Sequence, residues 1–168
     1  MNSIFSVHFL IETALYLIFA VPLSVMDVRR FRISLIYTFT GCAAFLAFRL
    51  SGNFSSSDGF QIWKAVKMLE LCGASLLSSV VILYAARIFS GNGLGKGDII
   101  FGAFTSFYCL FWTNIAGIVF SAVSGLLFYL LLAVFKRKDD EKILRPVFAV
   151  PFVPFITFGA VLARIFFG

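Results

Sequence analysis

Residues 4–26 read IFSVHFLIETALYLIFAVPLSVM, an apolar run broken by His8, Glu12 and Pro22. An α-helix needs about 20 apolar residues to cross the hydrocarbon core of a bilayer, so this run predicts one membrane crossing. No basic segment precedes the run, and no convincing small-residue cleavage site follows it. We therefore expect a first membrane helix that is retained, and not a secretory signal that is removed.

The remainder of the 168-residue chain repeats this pattern. Five more apolar runs follow between short polar or glycine-rich stretches, with a minimal turn at Thr113-Asn114; they cover residues 33–50, 62–89, 99–112, 115–135 and 147–167. Hydrophobic residues make up 61% of the chain and charged residues 13%, too few charges to cover a water-soluble globule. The sequence therefore predicts an all-α membrane protein with one domain, residues 1–168, forming a bundle of about six transmembrane helices.

Positive charges are distributed unevenly between the two ends of these runs. The chain has 14 lysine and arginine residues against 8 aspartate and glutamate residues, a net charge of +6. In a soluble protein this excess would suggest nucleic acid, but here the basic residues cluster in the short loops after the first, third and fifth runs. By the positive-inside rule these loops are cytoplasmic, so we expect a lipid bilayer as partner and no nucleic acid.

The residue types that bind metals are scattered. Cys42, Cys72 and Cys109 each lie inside an apolar run, and His8 is the only histidine in the sequence. A thiolate or histidine metal site needs a cluster of such ligands, which this spacing does not provide. We expect cysteines that pack as small apolar side chains, with no metal and no cofactor.

Two aspartates stand at the predicted cytoplasmic ends of apolar runs. Asp27 closes the first run, and Asp98 precedes the fourth. Each has a structural explanation: Asp27 can pair with Arg29 or Arg30, and Asp98 can be the N-cap of a helix. Together they can form a pair that shares one proton, in which one carboxylate activates water and the other carboxylic acid polarises a peptide carbonyl. This pair predicts an aspartyl peptidase.

Glycines alternate with other residues just before Asp98, at positions 91, 93, 95 and 97. Because glycine has no side chain, we expect Gly95 and Gly97 to admit the extended backbone of a substrate. A phosphate-binding loop is excluded, because Ser90 and Gly97 stand where that motif needs a glycine and a serine or threonine.

Three short motifs of the chain resemble those of one known family, the bacterial type IV prepilin peptidases. That family carries its first aspartate in a pattern like D-x-R-x-x-R-I-P-N, and residues 27–35 here read DVRRFRISL. Its second aspartate lies in G-x-G-D, and residues 95–98 read GKGD. Its last motif, P-F-G-P-F, corresponds to PFVPF at residues 151–155, before the final apolar run. The resemblance covers most of the chain from Asp27 onward, in the same order.

The resemblance implies a membrane aspartyl endopeptidase that removes the short basic leader from prepilin-like precursors, either pilins or pseudopilins. It implies cleavage at the cytoplasmic face of the bacterial inner membrane, with Asp27 and Asp98 as the catalytic pair. The residues expected to bind the substrate lie in the three motifs: Arg29, Arg32, Gly95, Lys96, Gly97, Pro151 and Pro154.

The chain departs from the family pattern at several positions. Ser34 and Leu35 replace the usual proline and asparagine, Ile100 stands where many members have a lysine, and Val153 replaces a glycine. We expect these changes to affect substrate preference more than the aspartate pair. The long members also carry a methyltransferase region with paired cysteines, for which this chain has no room, so we expect cleavage without N-methylation.

The residues leave two other functions open. A small ion- or proton-coupled transporter or channel subunit would use Glu12, which lies within the first apolar run and has no partner nearby in the sequence. Glu70 suits that role less well, because Lys67 stands three positions before it on the same helical face. A catalytically inactive scaffold of a secretion system would keep both aspartates and bind a precursor without cleaving it.

Overall fold

The computed structural model describes residues 7–30, 33–54, 62–91, 94–136 and 151–167. These residues form six α-helices, as the sequence predicted, and the all-α architecture is confirmed. The helices are α1 Val7–Arg30, α2 Leu35–Phe54, α3 Ile62–Phe89, α4 Lys96–Tyr108, α5 Phe111–Lys136 and α6 Val153–Phe167.

Three of the described helices are long and apolar enough to cross a membrane. The candidate spans lie in α1, α3 and α5, and two shorter helices are also apolar, over Leu35–Ser51 in α2 and Val153–Phe167 in α6. Helix α4 has 13 residues and rises about 20 Å, which is less than the ~30 Å of a hydrocarbon core. It therefore lies outside the candidate spans.

Helices α1 and α6 run antiparallel and contact each other near both ends. Asp27, in the last turn of α1, accepts a hydrogen bond from Val153 at the start of α6. Glu12, early in α1, pairs with Arg164 near the end of α6. We call the end of the bundle that holds Asp27 the inner end, and the end that holds Glu12 the outer end.

The short helix α4 lies in the centre of the bundle. Its Phe104 and Tyr108 rings are fully buried and stack on Tyr16 of α1, with ring centroids 5.6 and 4.2 Å apart. Phe45 of α2 packs edge-on against the same rings. Each aromatic side chain buries roughly 150–250 Å², so this cluster joins α1, α2 and α4 into one core.

Helices α5 and α6 approach closely because small residues face each other. A Cβ atom on Gly159 of α6 would overlap the carbonyl oxygen of Gly117 and the Oγ of Ser121, both on α5. Glycine at position 159 thus sets the distance between the two helices. This contact anchors α6, whose first residues belong to the site described below.

The connection between α4 and α5 differs from the prediction. The turn predicted at Thr113-Asn114 is wrong, because both residues lie in α5 and the chain reverses at Cys109 and Leu110. The side-chain amide of Asn114 is buried and donates a hydrogen bond to the carbonyl oxygen of Ser75 on α3 at 3.1 Å. This tertiary contact satisfies the amide and overrides the turn preference of asparagine.

Candidate functional site

Asp27 lies on the buried stripe of α1, although three of the next few residues in the sequence are arginines. Its side chain is 6% exposed, and its Oδ2 accepts a hydrogen bond from the backbone N–H of Val153 at 3.2 Å. The first N–H groups of a helix have no partner within that helix, and a carboxylate is favoured at this positive end. Asp27 therefore caps α6.

The predicted pairing of Asp27 with an arginine next to it is not observed in the part of the chain that the structure describes. Arg29 and Arg30 point outward and are exposed, and neither forms an ion pair with Asp27. The prediction that Asp27 pairs with Arg29 or Arg30 is therefore wrong. The carboxyl group instead contacts the third motif, 126 positions further along the chain.

Asp98 lies in the first turn of α4 and is 8% exposed. Its Oδ2 accepts a hydrogen bond from the backbone N–H of Gly95 at 2.9 Å. The N-cap residue is Gly95 and not Asp98, so that prediction is wrong in its position. Asp98 still serves the helix start, because its carboxylate lies at the positive end of α4.

The two aspartates come together at the inner end. Burial, and after it the negative charge of Asp27, raise the pKa of Asp98 from its ordinary value of 3.8 to about 6, whereas the hydrogen bond from Gly95 acts in the opposite direction. Among the residues that the structure describes, no hydrogen bond joins the two carboxyl groups directly. The pair therefore interacts through its charges and leaves one oxygen of each carboxyl without a described hydrogen-bond partner.

The first and second motifs also touch each other. A Cβ atom on Gly97 would lie 3.0 Å from Cδ1 of Ile33, and a Cβ atom on Gly95 would lie 3.1 Å from Oδ2 of Asp98. Both glycines thus have a packing role in addition to the predicted contact with a substrate. That contact stays a prediction.

Two features fix the described residues between α3 and α4, one at Gly91 and one at Leu94. Gly91 follows α3 with φ of +60°, a left-handed conformation that favours glycine after a helix. Arg87, in the last turn of α3, donates a hydrogen bond to the carbonyl oxygen of Leu94 at 3.1 Å. These contacts fix where Gly95 and Asp98 begin the next helix.

The other residues predicted to bind a substrate are spread around this pair. Arg29 and Lys96 are exposed at the inner end, the second as the first residue of α4. Pro151 and Pro154 are half-buried on either side of the α6 start. Arg32 lies outside the described residues.

The departures from the family motifs have local explanations. Ser34 begins α2 by accepting a hydrogen bond through its Oγ from the backbone N–H of Tyr37 at 3.4 Å. Val153 contributes a backbone donor to Asp27, while its own side chain is fully buried in the core. Valine at position 153, where the motif has glycine, therefore still allows the backbone N–H of this residue to bind Asp27.

An open groove between α1 and α6 ends at Val28 and Arg29, the two residues that follow Asp27. Its volume is about 550 Å³. Its lining is mostly apolar: Leu17, Val21, Ser24, Val25, Val28, Arg29, Pro154, Thr157, Phe158 and Val161. Apart from Arg29 and Pro154, the sequence did not single these residues out, because exposed valines in a membrane helix carry no chemical signal.

Glu12, the residue of the transporter hypothesis, was predicted to have no partner nearby in the sequence, and this is wrong, because Nδ1 of His8 lies 3.8 Å from its Oε1. It is 3% exposed and forms ion pairs with Arg164 of α6 and with Nε of Arg49 of α2, the latter at 3.4 Å. The guanidinium of Arg164 also lies over the ring of Tyr108, 5.7 Å from its centroid. This charge cluster joins three helices at the outer end, roughly 22 Å along α1 from Asp27.

Within the described residues, histidine, cysteine, aspartate and glutamate side chains form no group of three or more that could hold a metal ion. Comparison with known proteins gives no match to a family model, to a curated protein or to a solved structure. The geometry of the inner end and the motifs that meet there are the basis on which a function can be proposed.

Proposed function

We propose that the protein is a membrane aspartyl endopeptidase that cleaves the leader from prepilin-like precursors at the cytoplasmic face of the bacterial inner membrane. One observation carries the proposal: Asp27 and Asp98, 71 positions apart, are both buried at the inner end and interact electrostatically. Buried acidic residues at a membrane boundary are costly and are usually retained for function.

The roles of the two carboxyl groups follow from their surroundings. Asp98 binds its proton more firmly than an ordinary aspartate, because it is buried and faces a second negative charge. Asp27 accepts the N–H of Val153 at the positive end of α6, a hydrogen bond that offsets part of the cost of burying its carboxylate. Asp98 is therefore assigned as the acid and Asp27 as the base.

In the proposed reaction, Asp27 takes a proton from water as the water oxygen attacks the peptide carbonyl carbon. Asp98 gives its proton to the carbonyl oxygen, so the tetrahedral intermediate is neutral. When the C–N bond breaks, the leaving amine takes the proton from Asp27, and the hydroxyl of the intermediate returns a proton to Asp98. The step needs no other group, and the starting protonation of the pair is restored.

The arrangement in the membrane follows from the charge distribution. Helices α1, α3 and α5 end at the inner end, and in the sequence each is followed by basic residues, which favours the cytoplasmic side for this end. We place the three long helices across the bilayer, and α2 and α6 in the same bundle around the short α4. The two aspartates then lie at the cytoplasmic membrane surface, where a basic leader can reach them.

A cleavage assay tests the proposal. Membranes with the wild-type protein are mixed with a prepilin-like precursor from the same genome, and the products are weighed by mass spectrometry. We expect Asp27→Asn and Asp98→Asn each to lower the rate by roughly a hundredfold or more, the usual contribution of general acid–base catalysis. The matched control is Glu70→Gln, which removes one charge from an exposed position on α3.

Cleavage that survives both aspartate substitutions would refute the aspartyl mechanism. Stable binding of the precursor by the wild type, without cleavage, would favour the scaffold hypothesis. The same spectra test the expected absence of methylation, since the mature product should keep an unmodified amino terminus when S-adenosylmethionine is present.

A further inference from the structure

The α1–α6 groove is an exposed apolar surface that leads to the candidate catalytic pair. Val21, Val25 and Val28 follow one another on a single face of α1, and Phe158 stands opposite on α6. All four side chains are exposed, so the helices of this chain leave the groove uncovered. From Leu17 to Val28 the groove extends roughly 16 Å, about three turns of helix.

The inner mouth of the groove adjoins the aspartate site. Val28 and Arg29, the two residues after Asp27, line this mouth, and so does Pro154, which follows Val153, the residue that donates a hydrogen bond to that aspartate. An occupant that leaves the groove at this end is therefore within about one helical turn of Asp27, whose own side chain is buried in the bundle. At the floor of the groove, α1 and α6 are joined by a hydrogen bond between Ser24 and Thr157, whose hydroxyl oxygens lie 3.1 Å apart.

We infer that this groove binds the membrane helix of the precursor, the apolar segment that follows the cleaved bond. The inference rests on the proposed function and deepens it. The protein would recognise the transmembrane part of its substrate as well as the leader. A helix lying in the groove would place about 11 residues against α1 and α6, and its first residue would begin at the aspartate pair.

Charge at the mouth sets the direction of the occupant. Arg29 lines the groove at its inner end and repels lysine or arginine at that level. The carboxylate of Asp27, by contrast, attracts basic residues. A precursor with a basic leader and an apolar helix is therefore oriented with its helix in the groove and its leader beyond Arg29, across the catalytic pair.

The first test fills the groove. Val25→Trp places an indole in it, and Val119→Trp is the matched control on α5, since Val25 and Val119 are 44% and 55% exposed and Val119 lies outside the groove. The probe is a synthetic precursor in lipid vesicles: a short basic leader ending in glycine, then a leucine-rich helix of about 20 residues. A soluble peptide spanning the same bond, without the helix, is the second substrate.

We expect Val25→Trp to lower kcat/KM for the vesicle precursor by about tenfold or more, as blocked apolar contacts do, and to leave cleavage of the soluble peptide unchanged. Val119→Trp should change neither value. Equal cleavage of the vesicle precursor by both variants would overturn the inference. So would an equal loss on both substrates, because the substitution would then be disturbing the aspartates instead of the groove.

Crosslinking tests the groove separately from catalysis. In the Asp98→Asn background, Val21→Cys in the groove and Val119→Cys on α5, outside the groove, are oxidised with a precursor that carries one cysteine in its apolar helix. Disulfide formation at position 21 well above that at position 119 supports the inference. Equal disulfide yields at the two positions would overturn the inference. So would the absence of any disulfide at either position, because lipid alone would then fill the groove. If the wild type cleaves no precursor while position 21 crosslinks selectively, the proposed function fails and the docking site stands.

Discussion

Replacing Asp98 with asparagine is expected to abolish cleavage and, at the same time, to make the protein more stable at neutral pH. The folded-state pKa of Asp98, about 6, lies above its ordinary value of 3.8 because of burial and the charge of Asp27. The folded protein therefore binds this proton more tightly than the unfolded chain. The stability associated with Asp98 is full below pH 3.8 and is lost as the pH rises through about 6.

The size of the effect follows from the two pKa values. Their difference corresponds to about 3 kcal/mol of unfolding free energy that the wild type lacks at pH 8. Asparagine keeps an oxygen that can accept the hydrogen bond from Gly95, so it retains the helix start and removes the buried charge. The Asp98→Asn protein should thus exceed the wild type by up to about 3 kcal/mol at pH 8 and match it near pH 4.

Thermal unfolding in detergent, followed by circular dichroism at pH 4 and pH 8, measures the difference between the two proteins. Glu70→Gln is again the control, because an exposed acid on α3 should shift the transition at neither pH. An Asp98→Asn protein that unfolds at or below the wild-type temperature at pH 8 would refute the reasoning. An equal offset at both pH values would refute it too, since the gain would then be unrelated to ionisation.

Two further substitutions test the outer end and the packing of α6. Glu12→Gln should destabilise the protein by about 3–5 kcal/mol, because Arg49 and Arg164 lose their buried partner, while the folded fraction cleaves normally; loss of function at unchanged stability would favour the transporter. Gly159→Ala should cost about 1–3 kcal/mol in the same melts by forcing α5 and α6 apart. Gly73→Ala, whose Cβ would meet nothing within 4 Å, should be neutral or stabilising by up to about 1 kcal/mol; equal melting temperatures for the two alanine variants would contradict the packing argument.

Much of the fold is readable from the sequence because apolar runs and polar breaks mark membrane helices directly. The third run, residues 62–89, coincides with α3, and the fourth, residues 99–112, overlaps α4 and the first two residues of α5. Each of the other runs overlaps one helix. The α4–α5 turn was misplaced because Asn114 is held by a hydrogen bond to Ser75, a contact 39 positions away. Local turn preference carries no information about such a partner.

The candidate site, like the fold, could be predicted only in part from the sequence. Carboxylates at the ends of apolar runs are conspicuous, so Asp27 and Asp98 could be singled out from the sequence alone. The donor from Val153 could not be predicted, because a backbone N–H is the same in every residue except proline. The partners of Glu12 were missed for another reason: the rotation of each helix about its axis decides which isolated charges meet, and weakly amphipathic runs do not define that rotation.

The contact between α1 and α6 has a consequence for the timing of activity during synthesis. The hydrogen bond to Asp27 comes from α6, which leaves the ribosome after the five other helices. Until α6 has inserted, the first aspartate lacks its donor and the α1–α6 groove has only one wall. Under the proposed function, a nascent chain that has inserted the first five described helices is therefore an incomplete enzyme, and translation of the sixth completes the site.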